Sequence, residues 1–171
     1  MDLPEIWGTT EAETASRYGC DGLLTGPTEE WYRAVPTAAD PAVQYRWLCQ
    51  LAVAPYSYDL VDNFGRRSPR TLTPGLADLT VGQPMMRIFT LADAVPGREL
   101  TLHVTDRCAR QMFGEFAITY RATPGRLVAK LVVAAPAGVL SWARRRFLAW
   151  GDLVMMRRQL LTLANLAAVN G

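Results

Sequence analysis

Residues 150–167 read WGDLVMMRRQLLTLANLA, and their spacing decides the fold. After Gly138, as far as about 168, the only proline or glycine is Gly151, so the segment predicts one helix of roughly 45 Å if straight. Trp142, Ala149, Leu153, Met156, Leu160, Leu163 and Ala167 recur at helical spacing and form one apolar stripe. Trp150, Val154 and Leu161 widen it. A stripe this broad exceeds a two-helix seam, so it predicts a sheet curling around the helix. Gly151 permits a bend.

The sheet is expected immediately upstream. Strands are predicted at 85–94, 98–105, 114–123 and 126–135, with Pro96-Gly97 and Pro124-Gly125 as hairpin turns. Strands joined by tight turns are antiparallel. Leu100, Leu102 and Val104 share a face opposite Glu99, Thr101 and His103. Phe116, Ile118 and Tyr120 oppose Glu115, Thr119 and Arg121, and Leu127, Ala129, Leu131 and Val133 oppose Arg126 and Lys130. One face is therefore expected to be apolar and the other mostly wet.

Towards the N-terminus, 31–35 reads as a first strand ended by Pro36. Asp40-Pro41 supplies an N-cap and a proline at the first helical position. Val43, Trp47, Leu48 and Leu51 then place a helix over 41–52. Residues 1–29 read as a polar extension before a single domain at 30–171. Within the extension Thr10 and Glu13 stand at capping-box spacing for a short helix over 10–17. Residues 55–84 are irregular, with a short helix expected near 56–63 and a turn near 74–79. A stretch this long inside a compact domain points to function or to an unseen element.

The order strand, short helices, antiparallel meander and long apolar helix resembles the α+β helix-grip fold of the START-like superfamily. That superfamily includes polyketide cyclases/dehydrases and lipid-transport proteins. The resemblance covers about residues 30–168. It is carried by RAVPTAADPAVQYRWLCQL (33–51), the four strands and the helix quoted above, while APYSYDLVDNFGRRSPR (54–70) looks like an uncharacterised subgroup. The hairpin usual after the small helices is not evident in 55–84. The superfamily has no universal catalytic signature, so the resemblance implies a fold and a type of site: a space between curved sheet and helix.

The residues expected to line that space are Met86, Ile88, Leu100, Leu102, Phe116, Ile118, Tyr120, Leu131, Trp150, Leu153 and Met156. Flexible methionines and large aromatics suit an adaptable apolar pocket, although close packing alone would also place them in a core. Tyr120 is the one polar member of the inward row. Its hydroxyl is expected to bond backbone; in the functional reading it orients a ligand carbonyl or acts as a weak acid. Tyr56, Tyr58, Asp59, Arg66 and Arg67 are expected at the mouth, where Asp–Arg pairs bind a carboxylate or, equally well, pin a loose segment. Tyr58, Asp59 and Tyr120 are the candidates for acid–base chemistry.

Composition excludes more than it identifies. The 171 residues carry a net charge of +2, which gives no strong field towards nucleic acid. A single histidine, His103, rules out HExxH and His-rich metal sites, and that residue is expected to be an exposed strand side chain. Neither GxxxxGK[ST] nor GxGxxG occurs, so no cofactor or metal is expected. Three cysteines without CxxC fit a reducing compartment. The acidic start lacks a signal peptide's pattern, and no apolar run reaches a membrane-spanning length of about 18 residues. A cytoplasmic protein without stable membrane insertion is expected. Arg144–Arg146 and Arg157-Arg158 read as a solvated helix face, with Asp152 neutralising Arg145 or Arg158. The expected partner is a small hydrophobic molecule, lipid-like or polyketide-like. Two alternatives stand beside binding: a cyclase/dehydrase-type enzyme, and a regulatory or structural protein with a filled core.

Overall fold

Alternation along the four C-terminal strands does what the pattern requires: every second side chain turns to one face, and that face closes over the long helix. The computed structural model describes residues 3–58, 65–135 and 139–170, with side chains of the last helix from Ala143 onward. The elements in chain order are β1 (Ile6–Trp7), α1 (Glu11–Thr14), β2 (Thr28–Pro36), α2 (Pro41–Cys49) and a 3-10 turn at Gln50–Ala52. Then follow β3 (Pro84–Met85), β4 (Phe89–Val95), β5 (Glu99–Val104), α3 (Arg107–Phe113), β6 (Phe116–Thr123), β7 (Arg126–Ala134) and α4 (Val139–Val169). The strands form one open, curved, seven-stranded sheet in the order β1-β2-β7-β6-β5-β4-β3. This is the expected α+β helix-grip arrangement.

Local chemistry explains the boundaries. Asp40 Oδ1 accepts the Ala42 amide at 2.8 Å to open α2. Thr10 and Glu13 form the capping box reciprocally, but the helix behind it stops at Thr14. Gly97 and Gly125 take φ of 74° and 76° in the two hairpin turns, where a Cβ would be strained. On α4 the stripe Ala149, Leu153, Met156, Leu160, Leu163 and Ala167 is buried as its spacing predicts. Each fully buried Leu or Met contributes about 1.5–3 kcal/mol, so this seam dominates helix docking.

Three expectations change. The strand expected at 85–94 is a tight hairpin, because Met86 and Arg87 adopt left-handed φ of 43° and 67° and turn β3 back onto β4. No glycine signals this turn; it is held by tertiary contact, with the Met86 amide donating to Leu51 O at 3.0 Å. Residues 106–113, left without an element, form α3 under an Asp106 cap. Trp150 and Val154, assigned to the stripe, are 46% and 52% exposed on the outer side of α4.

The second sheet face is not wet. Residues 16–24 run across it and build a smaller core of Tyr18, Cys20, Tyr32, Ala34, Ala117, Val128 and Val132. Polar strand residues beneath are buried and paired. Thr101 and Thr119 share a hydrogen bond of 2.9 Å, and Cys20 donates its amide to Thr119 Oγ1 at 2.8 Å. Arg121 pairs with Glu99 at 2.6 Å under the Tyr18 ring. Lys130 meets Asp21 at 2.6 Å and Glu30 at 2.9 Å. Burial alone would pull the Lys130 ammonium down, but these carboxylates outweigh it and hold it above the ordinary lysine value. Arg126 grips Glu13 through two 2.8 Å bonds, fixing α1 to the sheet.

At Gly19 this cover touches the sheet so closely that an added Cβ would lie 2.2 Å from Thr101 Oγ1. Gly19→Ala should therefore cost about 1–3 kcal/mol by overpacking. In a Thr101→Ala background the cost should shrink; urea unfolding of the single and double variants checks the coupling, and full additivity would refute the contact.

Candidate functional site

Strand β2 alternates like its neighbours, and that alternation sends Trp31, Arg33 and Val35 towards α4 while Tyr32 and Ala34 face the outer cover. Arg33 is thus an arginine on a buried face, with no exposed surface. An isolated charge there is costly, so it requires partners. Its Nη2 meets Asp152 Oδ2 of α4 at 3.0 Å, and its Nη1 donates to Glu5 O at 2.6 Å and Tyr32 O at 2.9 Å. Arg33 Nε and the indole Nε1 of Trp31, two residues away on the same face, are buried without a hydrogen-bond partner.

Strand register extends the site. Arg33 lies opposite Ala129, and Ala129 opposite Tyr120, so one small side chain separates guanidinium from phenol across the sheet. Tyr120 donates to Gln159 Oε1 at 2.7 Å and contacts Met156 Sδ at 3.6 Å. Its hydroxyl is thus satisfied by a side chain, not by backbone. Gln159 in turn donates to Pro55 O at 2.6 Å and lies 3.4 Å from Met86 Sδ. Asp152 and Gln159 are seven residues apart, two helical turns, and so share the sheet-facing side of α4.

The electrostatics separate the two acidic groups. Burial pushes the Asp152 carboxyl up to about 6, with Arg33 pulling the other way. Burial, reinforced by the Asp152 charge, pushes the Tyr120 phenol far above its ordinary value, so it remains a donor. Burial also lowers Arg33 below the usual guanidinium value against the pull of Asp152. The site therefore holds two unpartnered N–H donors, one carboxyl that burial raises to about 6 and one fixed phenol bonded to Gln159. A carbonyl or carboxylate oxygen matches that donor set.

The sequence-expected residues distribute as follows. Leu100, Leu102, Ile118, Tyr120, Leu131, Leu153 and Met156 are all buried. Met86, Ile88 and Phe116 are partly buried against the same core, Phe116 edge-on to Phe89 at 5.3 Å. Trp150 points away from it. Of the expected mouth, Tyr56 is buried edge-on against Trp47, whereas Tyr58, Arg66 and Arg67 are exposed. Asp59 lies outside the described residues, as does most of the short helix expected near 56–63. His103 is half-buried, 3.2 Å from Glu115. Asp152 was expected to neutralise Arg145 or Arg158 and pairs instead with Arg33. Sequence reasoning missed Arg33, Asp152 and Gln159; the alternation Trp31-x-Arg33-x-Val35 was the available signal for the first. A separate cleft of about 280 Å³ at the edge of β2 is lined by Glu5, Glu29, Glu30, Arg145 and Arg146. Its lining is charged, so it does not suit an apolar ligand. Among the described residues no cluster of three or more His, Cys, Asp or Glu could hold a metal.

No family model matches the chain, and no curated protein matches it. Solved structures do. The ZhuI aromatase/cyclase of Streptomyces sp. R1128 superposes with a TM-score of 0.51 at 15% identity, over 82% of this chain and 94% of that one. The di-domain ARO/CYC BexL from the BE-7585A biosynthetic pathway gives 0.50 at 15% identity over 82% of this chain; the match spans 50% of BexL. Ara h 8.0201 gives 0.51 at 6% identity over 84% and 100%. The shared property is the fold, a curved sheet gripping a long C-terminal helix.

The raised Asp152 value fixes a pH signature. A carboxyl that binds its proton more tightly folded than unfolded loses native stability as pH rises from about 4 to about 6. Asp152→Asn removes that loss, so the variant should gain on the parent by about 1–3 kcal/mol across this window and run parallel above it. Urea midpoints at stepped pH measure the difference; a difference of opposite slope would mean that Arg33, not burial, governs Asp152.

Proposed function

We propose that this chain binds a small hydrophobic molecule, lipid-like or polyketide-like, between the curved sheet and α4, with its oxygen held by Arg33 and Trp31. The observation that carries this reading is the pair of buried, unpartnered donors, Arg33 Nε and Trp31 Nε1, on one face of β2. A buried ion pair is weak support for stability, since apolar replacements often serve a core as well or better. Its presence beside unsatisfied donors fits a site that receives a polar atom. The apolar interior supplies binding by burial, and Met86 and Met156 supply the adaptable wall. Met86, Ile88, Leu100, Leu102, Phe116, Ile118, Leu131, Leu153 and Met156 remain the proposed lining.

A second reading follows from the pairing of two groups: Asp152, which burial pushes up to about 6, acts electrostatically on the fixed Tyr120 phenol. Aromatase/cyclases share this fold, which makes acid–base assistance of enolisation and water loss the reaction to test. In that reading Asp152 moves the proton while Arg33 and Trp31 hold the carbonyl oxygen and Tyr120, bonded to Gln159, fixes the helix-side wall. The groups differ from the mouth residues expected from sequence, of which Tyr58 is exposed.

Long-chain fatty acids and aromatic polyketides should raise the melting temperature of the chain, and Arg33→Gln should weaken their binding at least tenfold, as loss of a charged hydrogen bond implies. Tyr120→Phe should weaken it less. Asp152→Asn separates the readings, for it should abolish turnover of a poly-β-ketone while leaving affinity within a few-fold. Equal affinities for parent and Arg33→Gln, both folded by circular dichroism, would overturn the assigned anchor.

A further inference from the structure

The outer side of α4 has no role in the site above, yet its composition is unusual. Phe147 is 78% exposed, Trp150 46% and Val154 52%. Their spacing of three, four and seven residues puts them on one arc, turned away from the buried stripe. Exposed Met112 and Phe113 close the C-terminal end of α3, which Arg144 and Arg145 tie to the first turns of α4 through bonds to Met112 O and Phe113 O. An aromatic stripe facing solvent marks an interaction surface.

Charge identifies the partner. Described α4 carries five arginines, Arg144, Arg145, Arg146, Arg157 and Arg158, and a single acid, Asp152. Asp152 is turned inward onto Arg33 and cannot neutralise the outer side. Arg146 is committed to Glu5, and Arg145 to backbone carbonyls. Among the described residues Arg144, Arg157 and Arg158, which flank the stripe, have no carboxylate partner: Arg144 bonds the Gln111 and Met112 carbonyls and Arg157 stacks on the Trp7 ring at 5.5 Å, contacts that leave both charges uncompensated. A second copy is a poor occupant: antiparallel pairing centred on Trp150 sets Arg144 against Arg157 and Arg158, and parallel pairing sets each cation against itself. No described helix is long and apolar enough to cross a membrane. A cationic helix face bearing exposed Trp and Phe fits a surface of negative charge over hydrocarbon.

We infer that the outer face of α4, from Arg144 to Arg158, docks peripherally on an anionic lipid bilayer, with Phe147, Trp150 and Val154 entering the headgroup boundary and the arginines meeting lipid phosphates. This does not rest on the ligand reading, because none of these residues faces the interior.

The test is flotation of the purified chain with vesicles of phosphatidylcholine alone or mixed with phosphatidylglycerol. Binding should require the anionic lipid and should be released near 1 M salt, where screening falls to about 3 Å. Arg157→Gln with Arg158→Gln should weaken it about 30-fold. Bromine-labelled lipid should quench the protein's fluorescence, and Trp150→Phe, which leaves four tryptophans, should remove that quenching with flotation kept. Absence of flotation, equal binding to both vesicles, or undiminished quenching in Trp150→Phe would overturn the proposal. So would a dimer in sedimentation that Phe147→Ser dissociates, since the face would then serve a second copy.

Discussion

Arg33 sets the constraint on which the rest of the structure depends. It sits in a strand whose two faces are both covered, and it carries a charge with no exposed surface. Removing one partner of such a pair costs about 3–5 kcal/mol, so the elements that satisfy Arg33 must be held in place together. Asp152 fixes the rotation and depth of α4; Glu5 O fixes the segment before β1; Tyr32 O keeps β2 regular around it. One residue before Leu153 and four before Met156, Asp152 also aligns the apolar stripe with the sheet.

The sheet is a shared layer between two cores of different character. On the helix side the contacts are apolar and broad, and polar groups are few and connected in short chains. On the other side the N-terminal cover packs over threonines and ion pairs, so specificity there comes from hydrogen bonds of fixed geometry. Lys130 and Arg121 are buried but remain paired and stacked on tyrosine rings. The cover packs against the sheet from behind, opposite α4.

Much of this architecture was legible from periodicity. The α4 stripe, the two Pro-Gly hairpins and the inward rows of β5, β6 and β7 follow from patterns of 3.6 and 2 residues that burial enforces. What escaped has identifiable physical causes. The cover over the outer face is a tertiary effect: Thr101, Thr119 and Lys130 look solvated in a strand, and only their long-range partners bury them. The turn at Met86–Arg87 uses left-handed backbone without glycine, so no local signal marks it. Trp150 shows that an aromatic residue near a stripe need not belong to it. Arg33 was hidden because a charged side chain in a strand is ordinarily read as solvent-facing, and its partner is 119 residues away. The polar site was therefore the least legible part, since it is made of pairings between distant elements.

The central claim is that the interior receives a guest. Native mass spectrometry of the purified chain, followed by denaturing extraction, tests it most directly. The account predicts a defined added mass that leaves as an apolar molecule bearing a carbonyl or carboxylate and is lost in Arg33→Gln. A bare polypeptide mass that no fatty acid, sterol or aromatic polyketide alters would contradict it and identify the interior as a filled core.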